Sequence, residues 1–149
     1  MKILLPTDFS ECAAQAQTTA VDLAGKLGSE IVLFQVLVET PLYGESVLNM
    51  PKVRRVYDAQ RKWAEETLEA RVGDLRQRGI KASWRVQVGV PFEEIVSIAE
   101  EERVDMIVMG THGRSGLNRA LLGSVAERVI RLAPCPVLTV RQTKPEAGR

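Results

Sequence analysis

The fold class this sequence predicts is α/β, a single-domain doubly wound sandwich around a parallel sheet, and three observations predict it. Short apolar runs of strand length alternate with longer segments of helical period, five of the first and four of the second. Glycine, proline and small polar residues punctuate the joins. At 149 residues the chain has room for one ordinary domain with a proper core, and it shows no internal repeat.

The elements follow in order. Lys2 to Pro6 reads as a buried strand, and Pro6-Thr7-Asp8-Phe9-Ser10 as a turn with Ser10 capping a helix through Leu27. Ala13, Ala16, Ala20, Ala24 and Leu27 form its small-residue face, and Gly28-Ser29 ends it. Ile31 to Val38 is almost uninterruptedly apolar, the mark of a strand covered on both faces. Glu39 to Pro51 has no steady period and is expected to be a long loop. A helix is expected roughly from Val53 to Arg78, with Val53, Val56, Tyr57, Gln60, Trp63, Ala64, Thr67, Leu68, Val72 and Leu75 on one face and Gly79 at its end. Ala82, Trp84, Val86 and Val88 alternate with polar residues, which predicts an edge strand with one face open to water. Gly89-Val90-Pro91 leads into a helix carrying Phe92, Ile95, Val96 and Ala99. Met106 to Met109 is the next strand and Pro136 to Arg141 the last. The polar residues 142–149 are expected to be a disordered tail.

Composition excludes several functions. A hydrophobic share of 45% with 26% charged residues is that of a globular protein, and a net charge of +1 argues against a dedicated nucleic-acid binder. No apolar run approaches the roughly 20 residues that span a membrane. The N-terminus enters a strand at once, without a signal peptide's apolar length, so the cytoplasm is the expected location. Cys12 and Cys135 lie far apart and have no metal-ligand spacing. Packing is their expected role; the alternative for Cys12 is redox chemistry, because a helix N-terminus lowers a thiol pKa.

Chemistry concentrates between Asp105 and Pro136. The strand ends abruptly at Gly110, and Gly113, Gly116 and Gly123 follow before Ser124 opens a helical pattern with Val125, Ala126, Val129, Ile130 and Ala133 on one face. Glycines let backbone N–H groups approach a phosphate, and a helix N-terminus adds unpaired donors and partial positive charge. Ser124 with Glu127 is equally a capping box, which needs no ligand. On these residues alone both readings stand open. The spacing Gly110-x2-Gly113-x9-Gly123-Ser124, continuing through Val125-Ala126-Glu127-Arg128-Val129 to Ala133-Pro134-Cys135-Pro136-Val137, resembles the nucleotide-binding signature of the universal stress protein family.

The resemblance covers residues 1–141 and implies strand order 3-2-1-4-5. That order would set Asp8 and Gly110 across one crevice at the topological switch, where such folds bind ligands. It also implies the site. Asp8, with the Pro6-Thr7 backbone beside it, matches the residue that contacts adenosine in members that bind ATP. Val36 matches the position whose backbone meets the adenine edge. Gly110, Gly113, Gly123, Ser124 and Val125 match the phosphate cradle.

Other candidates are weaker. His112, the one histidine, has no Ser or Cys partner for a triad, and Arg114 and Arg119 have no assigned role. Gly-x4-Gly-Lys-Ser/Thr and Gly-x-Gly-x2-Gly are both absent. Mg²⁺ could accompany a bound triphosphate, but no carboxylate cluster marks a protein metal site. The resemblance thus implies an ATP-binding (or ADP- or AMP-binding) protein with a nucleotide-responsive regulatory or protective role in stress. It also implies a homodimer paired through the last strand. The alternatives are a slow ATP hydrolase or adenylate-transferring enzyme in the same crevice, and a dimeric interaction protein without nucleotide.

Overall fold

The computed structural model describes residues 1–39, 50–113 and 122–142. Most of the expected long loop, Arg114, Gly116 and Arg119, and all but the first residue of the expected tail lie outside the described residues. The strands are β1 (Lys2–Pro6), β2 (Glu30–Val38), β3 (Ala82–Gly89), β4 (Met106–Gly110) and β5 (Val137–Val140). The helices are α1 (Glu11–Leu27), α2 (Pro51–Gln77), α3 (Pro91–Glu101) and α4 (Ser124–Leu132). All pairings are parallel, in the order β3-β2-β1-β4-β5. This is the doubly wound α/β fold the sequence predicts. No helix among the described residues is long and apolar enough to cross a membrane.

Alternation along the central strands divides the core into two. Ile3, Leu5, Ile31, Leu33 and Val108 point to one face, where Ala16, Ala20 and Ala24 of α1 and Leu68, Val72 and Leu75 of α2 cover them. Leu4, Val32, Phe34, Ile107 and Met109 point to the other, under Ile95, Ile98 and Ala99 of α3 and Ala126 and Val129 of α4. The alanines let α1 lie close on the sheet, and Gly28 stops it in a left-handed conformation (φ 63°).

The helical faces are shorter than their periodicity suggests. Leu27, in the last turn of α1, is exposed, as are Val56 and Trp63 of α2 and Ile130 of α4. α2 has 27 residues, about 40 Å of helix. A nine-residue strand such as β2 covers about 30 Å. The first half of α2 therefore runs past the apolar sheet, and burial begins at Ala64. α2 also starts two residues earlier than expected, because Pro51 takes the N1 position that proline suits. The expected capping box does not form. Gly123 is the N-cap of α4, and Ser124 is the first helical residue, exposed to solvent. The reason is the Gly123 N–H, drawn to Thr111 O at 2.8 Å, which starts the helix one residue early. β3 is an edge strand as expected, although Ser83 and Gln87 on its polar face are half-buried and only Arg85 is exposed.

Candidate functional site: the crevice between β1 and β4

β1 leads into a turn whose side chains hold its own backbone. The β1–β2 ladder makes its last rung from Thr7 N–H to Phe34 O (2.8 Å). The Thr7 hydroxyl then accepts from Phe9 N–H (3.1 Å), and Asp8 Oδ1 accepts from Ser10 N–H (3.0 Å). Ser10 caps α1 as expected, its hydroxyl accepting from Ala13 N–H at 3.2 Å. Short polar side chains are suited to such local bonds. Phe9 sits at φ 60°, in the left-handed region.

That turn opens the edge of β2. In a parallel ladder successive residues bond alternately to the two neighbouring strands. Ile31 N–H bonds toward β3 and Glu30 N–H toward β1, so Val36, of even number, turns its N–H and C=O toward the β1 side. The next amide of the chain along β1 is Phe9 N–H, and it has gone to Thr7 instead. Val36 lies beyond the last rung.

β4 brings the other wall. A Cβ added to Gly113 would lie 2.8 Å from Asp8 Oδ2, so the two switch-point loops meet at these residues. The loop after β4 closes its own neck as well. Thr111 N–H donates to Val140 O (2.9 Å), and a Cβ at Gly123 would stand 2.8 Å from Thr111 O. The α4 N-terminus is thereby set beside the end of β4. Its N-cap glycine has no side chain with which to satisfy the first-turn N–H groups, and a bare helix N-terminus of this kind favours an anion.

Gly110 has a different neighbour. A Cβ there would meet Cys12 Sγ at 2.8 Å and the Cys12 carbonyl carbon at 3.1 Å, so this glycine admits the first turn of α1 against the end of β4. Cys12 is 3% exposed and donates to Val140 O at 3.3 Å, a packed position closed to redox partners. Burial raises the pKa of Cys135. His112 Nδ1 lies 2.8 Å from the Thr111 hydroxyl.

The model of the universal stress protein family matches residues 1–141. The chain belongs to the universal stress protein family. Universal stress protein MJ0531 of Methanocaldococcus jannaschii is 37% identical over 97% of this chain and 84% of its own length. The solved structure of MJ0577, from the same organism, matches with a TM-score of 0.81 at 35% identity, covering 97% of each chain. A universal stress protein of Archaeoglobus fulgidus, solved in complex with dAMP, matches at TM-score 0.67 and 26% identity over 95% of this chain and 98% of that one.

Within this universal stress protein the residues singled out from sequence lie toward the C-terminal ends of β1, β2 and β4 and at the start of α4. Pro6, Thr7 and Asp8 form the end of β1 and its turn; Gly110 and Gly113 flank the end of β4; Gly123, Ser124 and Val125 begin α4; Val36 lies on β2 past the end of β1. Ser124 faces solvent, whereas Val125 is half-buried against the core under α3 and α4. Sequence reasoning missed Phe9. The available signal was a bulky residue between Asp8 and Ser10, two residues that favour turns. Among the described residues no three His, Cys, Asp or Glu side chains are grouped to hold a metal ion.

Proposed function

We propose that this universal stress protein binds an adenine nucleotide in the crevice between β1 and β4, as a nucleotide-responsive regulatory or protective protein. The observation that carries the reading is the meeting of Asp8 with Gly113 across the switch point. The residues fit the ligand. Asp8 would accept from a ribose hydroxyl, and Val36 would offer its N–H and C=O to the base edge. Gly113, Ser124 and Val125 would supply backbone donors, and Ser124 its exposed hydroxyl, to the phosphates, while Gly123, its N–H held by Thr111 O, would keep a side chain out of their way. Gly110 supports the cradle by letting α1 close on β4. The dAMP complex of the Archaeoglobus fulgidus relative supports an adenine ligand. ATP, with Mg²⁺ carried on its phosphates, ADP and AMP are the candidates.

Calorimetry with ATP, AMP, adenosine and GTP tests the reading, together with mass spectrometry of small molecules released from the purified protein. Adenine compounds are expected to bind in preference to GTP. No heat from any adenine compound and no released nucleotide would end it.

The second copy is part of the proposal. β5 is the sheet edge opposite β3, and Leu138 on it is 37% exposed. An exposed apolar edge is a pairing hazard unless covered. Antiparallel pairing with β5 of a second copy covers it.

A further inference from the structure

We propose that Trp63 and Arg71 of α2 are positioning residues for the nucleotide site, holding the Phe9 ring so that the Asp8 turn keeps its open geometry. The functional part of this inference rests on the adenine-nucleotide reading above. Phe9 is the residue that makes the turn possible. Its φ of 60° is a conformation that side chains with a Cβ rarely adopt, and an aromatic residue has no local polar group to compensate for it. Such a conformation persists where the surroundings over-determine it.

The surroundings here are two side chains of α2. The Trp63 ring meets Phe9 edge-to-face, with centroids 5.1 Å apart and planes at 78°. The Arg71 guanidinium carbon lies 4.6 Å from the Phe9 ring centroid, over its face. Arg71 is itself held, donating to Gln17 Oε1 of α1 at 3.0 Å. Partial burial lowers its pKa, yet an arginine stays cationic and keeps its attraction to the ring. The stack also accounts for a tryptophan that is 52% exposed on a helix running past the sheet.

The consequence reaches the crevice through one amide. With φ positive, Phe9 N–H bonds to the Thr7 hydroxyl, and Asp8 Oδ1 holds Ser10 N–H. If the ring were released, Phe9 would relax toward negative φ. With the chain beyond Ser10 held by α1, the change would be taken up by a turn of the Asp8–Phe9 peptide plane. The Phe9 N–H would leave Thr7, the Asp8 carboxylate would lose its bond to Ser10, and the Phe9 N–H would be free to close the next rung of the ladder on Val36.

Two measurements test this. The first uses amide hydrogen exchange on the protein without ligand. Trp63→Ala and Arg71→Met are each expected to lower protection of the Phe9 and Ser10 amides by about tenfold, while Leu4 and Ile107 in the core keep theirs. Unchanged protection at Phe9 and Ser10 overturns the proposal. The second is a double-mutant cycle with AMP. Glycine takes positive φ unaided, so Phe9→Gly removes the need for the stack. Trp63→Ala is expected to weaken AMP about fivefold when Phe9 is present and by less than about twofold when combined with Phe9→Gly. Equal losses in both backgrounds would mean that Trp63 acts on the ligand or on stability, and would also overturn it. If the parent binds no adenine nucleotide while exchange still responds as expected, the nucleotide reading fails and the positioning role of the stack stands.

Discussion

The Asp8 carboxylate occupies the space where a side chain at position 113 would begin, with Oδ2 lying 2.8 Å from the position of a Cβ on Gly113. The residue expected at the sugar and the residue expected at the phosphates are thus one contact apart. Gly113→Ala should therefore displace Asp8 as well as crowd the phosphate loop, and should weaken adenosine as well as ATP. The coupling is measurable. In an Asp8→Ala background, Gly113→Ala should cost adenosine affinity little, because the displaced group is gone. Additive losses for adenosine in calorimetry would show that the two residues act separately.

Gly110 predicts the opposite pattern. Its missing Cβ makes room for Cys12, including the Cys12 carbonyl carbon at 3.1 Å, which no rotamer change can move. Gly110→Ala should cost about 1–3 kcal/mol of stability, the usual range for overpacking. Adding Cys12→Ala should restore only part of that loss, because the backbone contact remains. Denaturant titration reads both effects, and full rescue would assign the whole strain to the thiol.

Glu102 should give the fold a pH-dependent component remote from the crevice. Its carboxylate bonds to Lys2 Nζ at 3.0 Å and to Arg85 Nη2 at 2.7 Å. The Lys2 hydrogen bond, chiefly, holds its pKa below the ordinary carboxylate range; burial works against the shift and Arg85 adds to it. A depressed carboxylate pKa contributes stability above the unfolded-state pKa, near 4.3, and loses it as pH falls through the lower folded-state value. The pair is partly exposed, so the contribution should be about 0.5–1 kcal/mol at neutral pH. Glu102→Gln should lower stability at pH 7 and flatten its acid limb, leaving AMP affinity unchanged. An unaltered acid limb in melts from pH 6 to pH 3 would show that Glu102 contributes nothing.

Dimerisation through β5 has a specific test. Pro136 O and Val140 O accept from β4 and its extension, so Val137 and Thr139 direct their N–H and C=O groups away from the sheet. Thr139→Pro removes an outward donor while leaving the bonds to β4 in place. Light scattering at micromolar concentration should find a dimer for the parent and a monomer for the variant. A monomeric parent would sink the proposal, as would a dimer that tolerates the proline.

The order of elements was legible in the sequence because period and punctuation report local structure. Ile31 to Val38 could hardly be anything but a buried strand, and the alternation of Ala82 to Val88 marked the sheet edge. Less legible was where a helix outruns the sheet it covers. Val56 and Trp63 keep helical spacing with Leu68 and Val72, but only the strand lengths decide that the first pair is exposed. The capping box at Ser124 was misread because its pattern also fits a helix begun one residue earlier, and a tertiary bond from Gly123 to Thr111 chose between them. Phe9 stood out only as a bulky residue between two turn formers. Its conformation depends on Trp63 and Arg71, two side chains on the second helix, and nothing local announces them.

Bound ATP should turn over slowly or not at all. Backbone donors at a helix N-terminus hold a ground-state triphosphate but favour its transition state little. Fast phosphoryl transfer generally needs a metal fixed in place, a cation on the transferring group and a residue that orients the nucleophile. Asp8 is occupied at the turn, with Oδ1 on Ser10 N–H and Oδ2 against Gly113. The conspicuous candidate for a base is His112, and its Nδ1 lies 2.8 Å from the hydroxyl of its own neighbour Thr111. Thr111 is 4% exposed, so that bond fixes the Nδ1 side of the imidazole to the end of β4. Incubation with saturating Mg-ATP, followed by release of phosphate and AMP, should give a rate well below the ordinary enzymatic range of roughly 1–10³ s⁻¹. The residual rate should be the same in His112→Ala. A rate inside that range, abolished by His112→Ala, would make the crevice an active site and Thr111 the residue that orients its base.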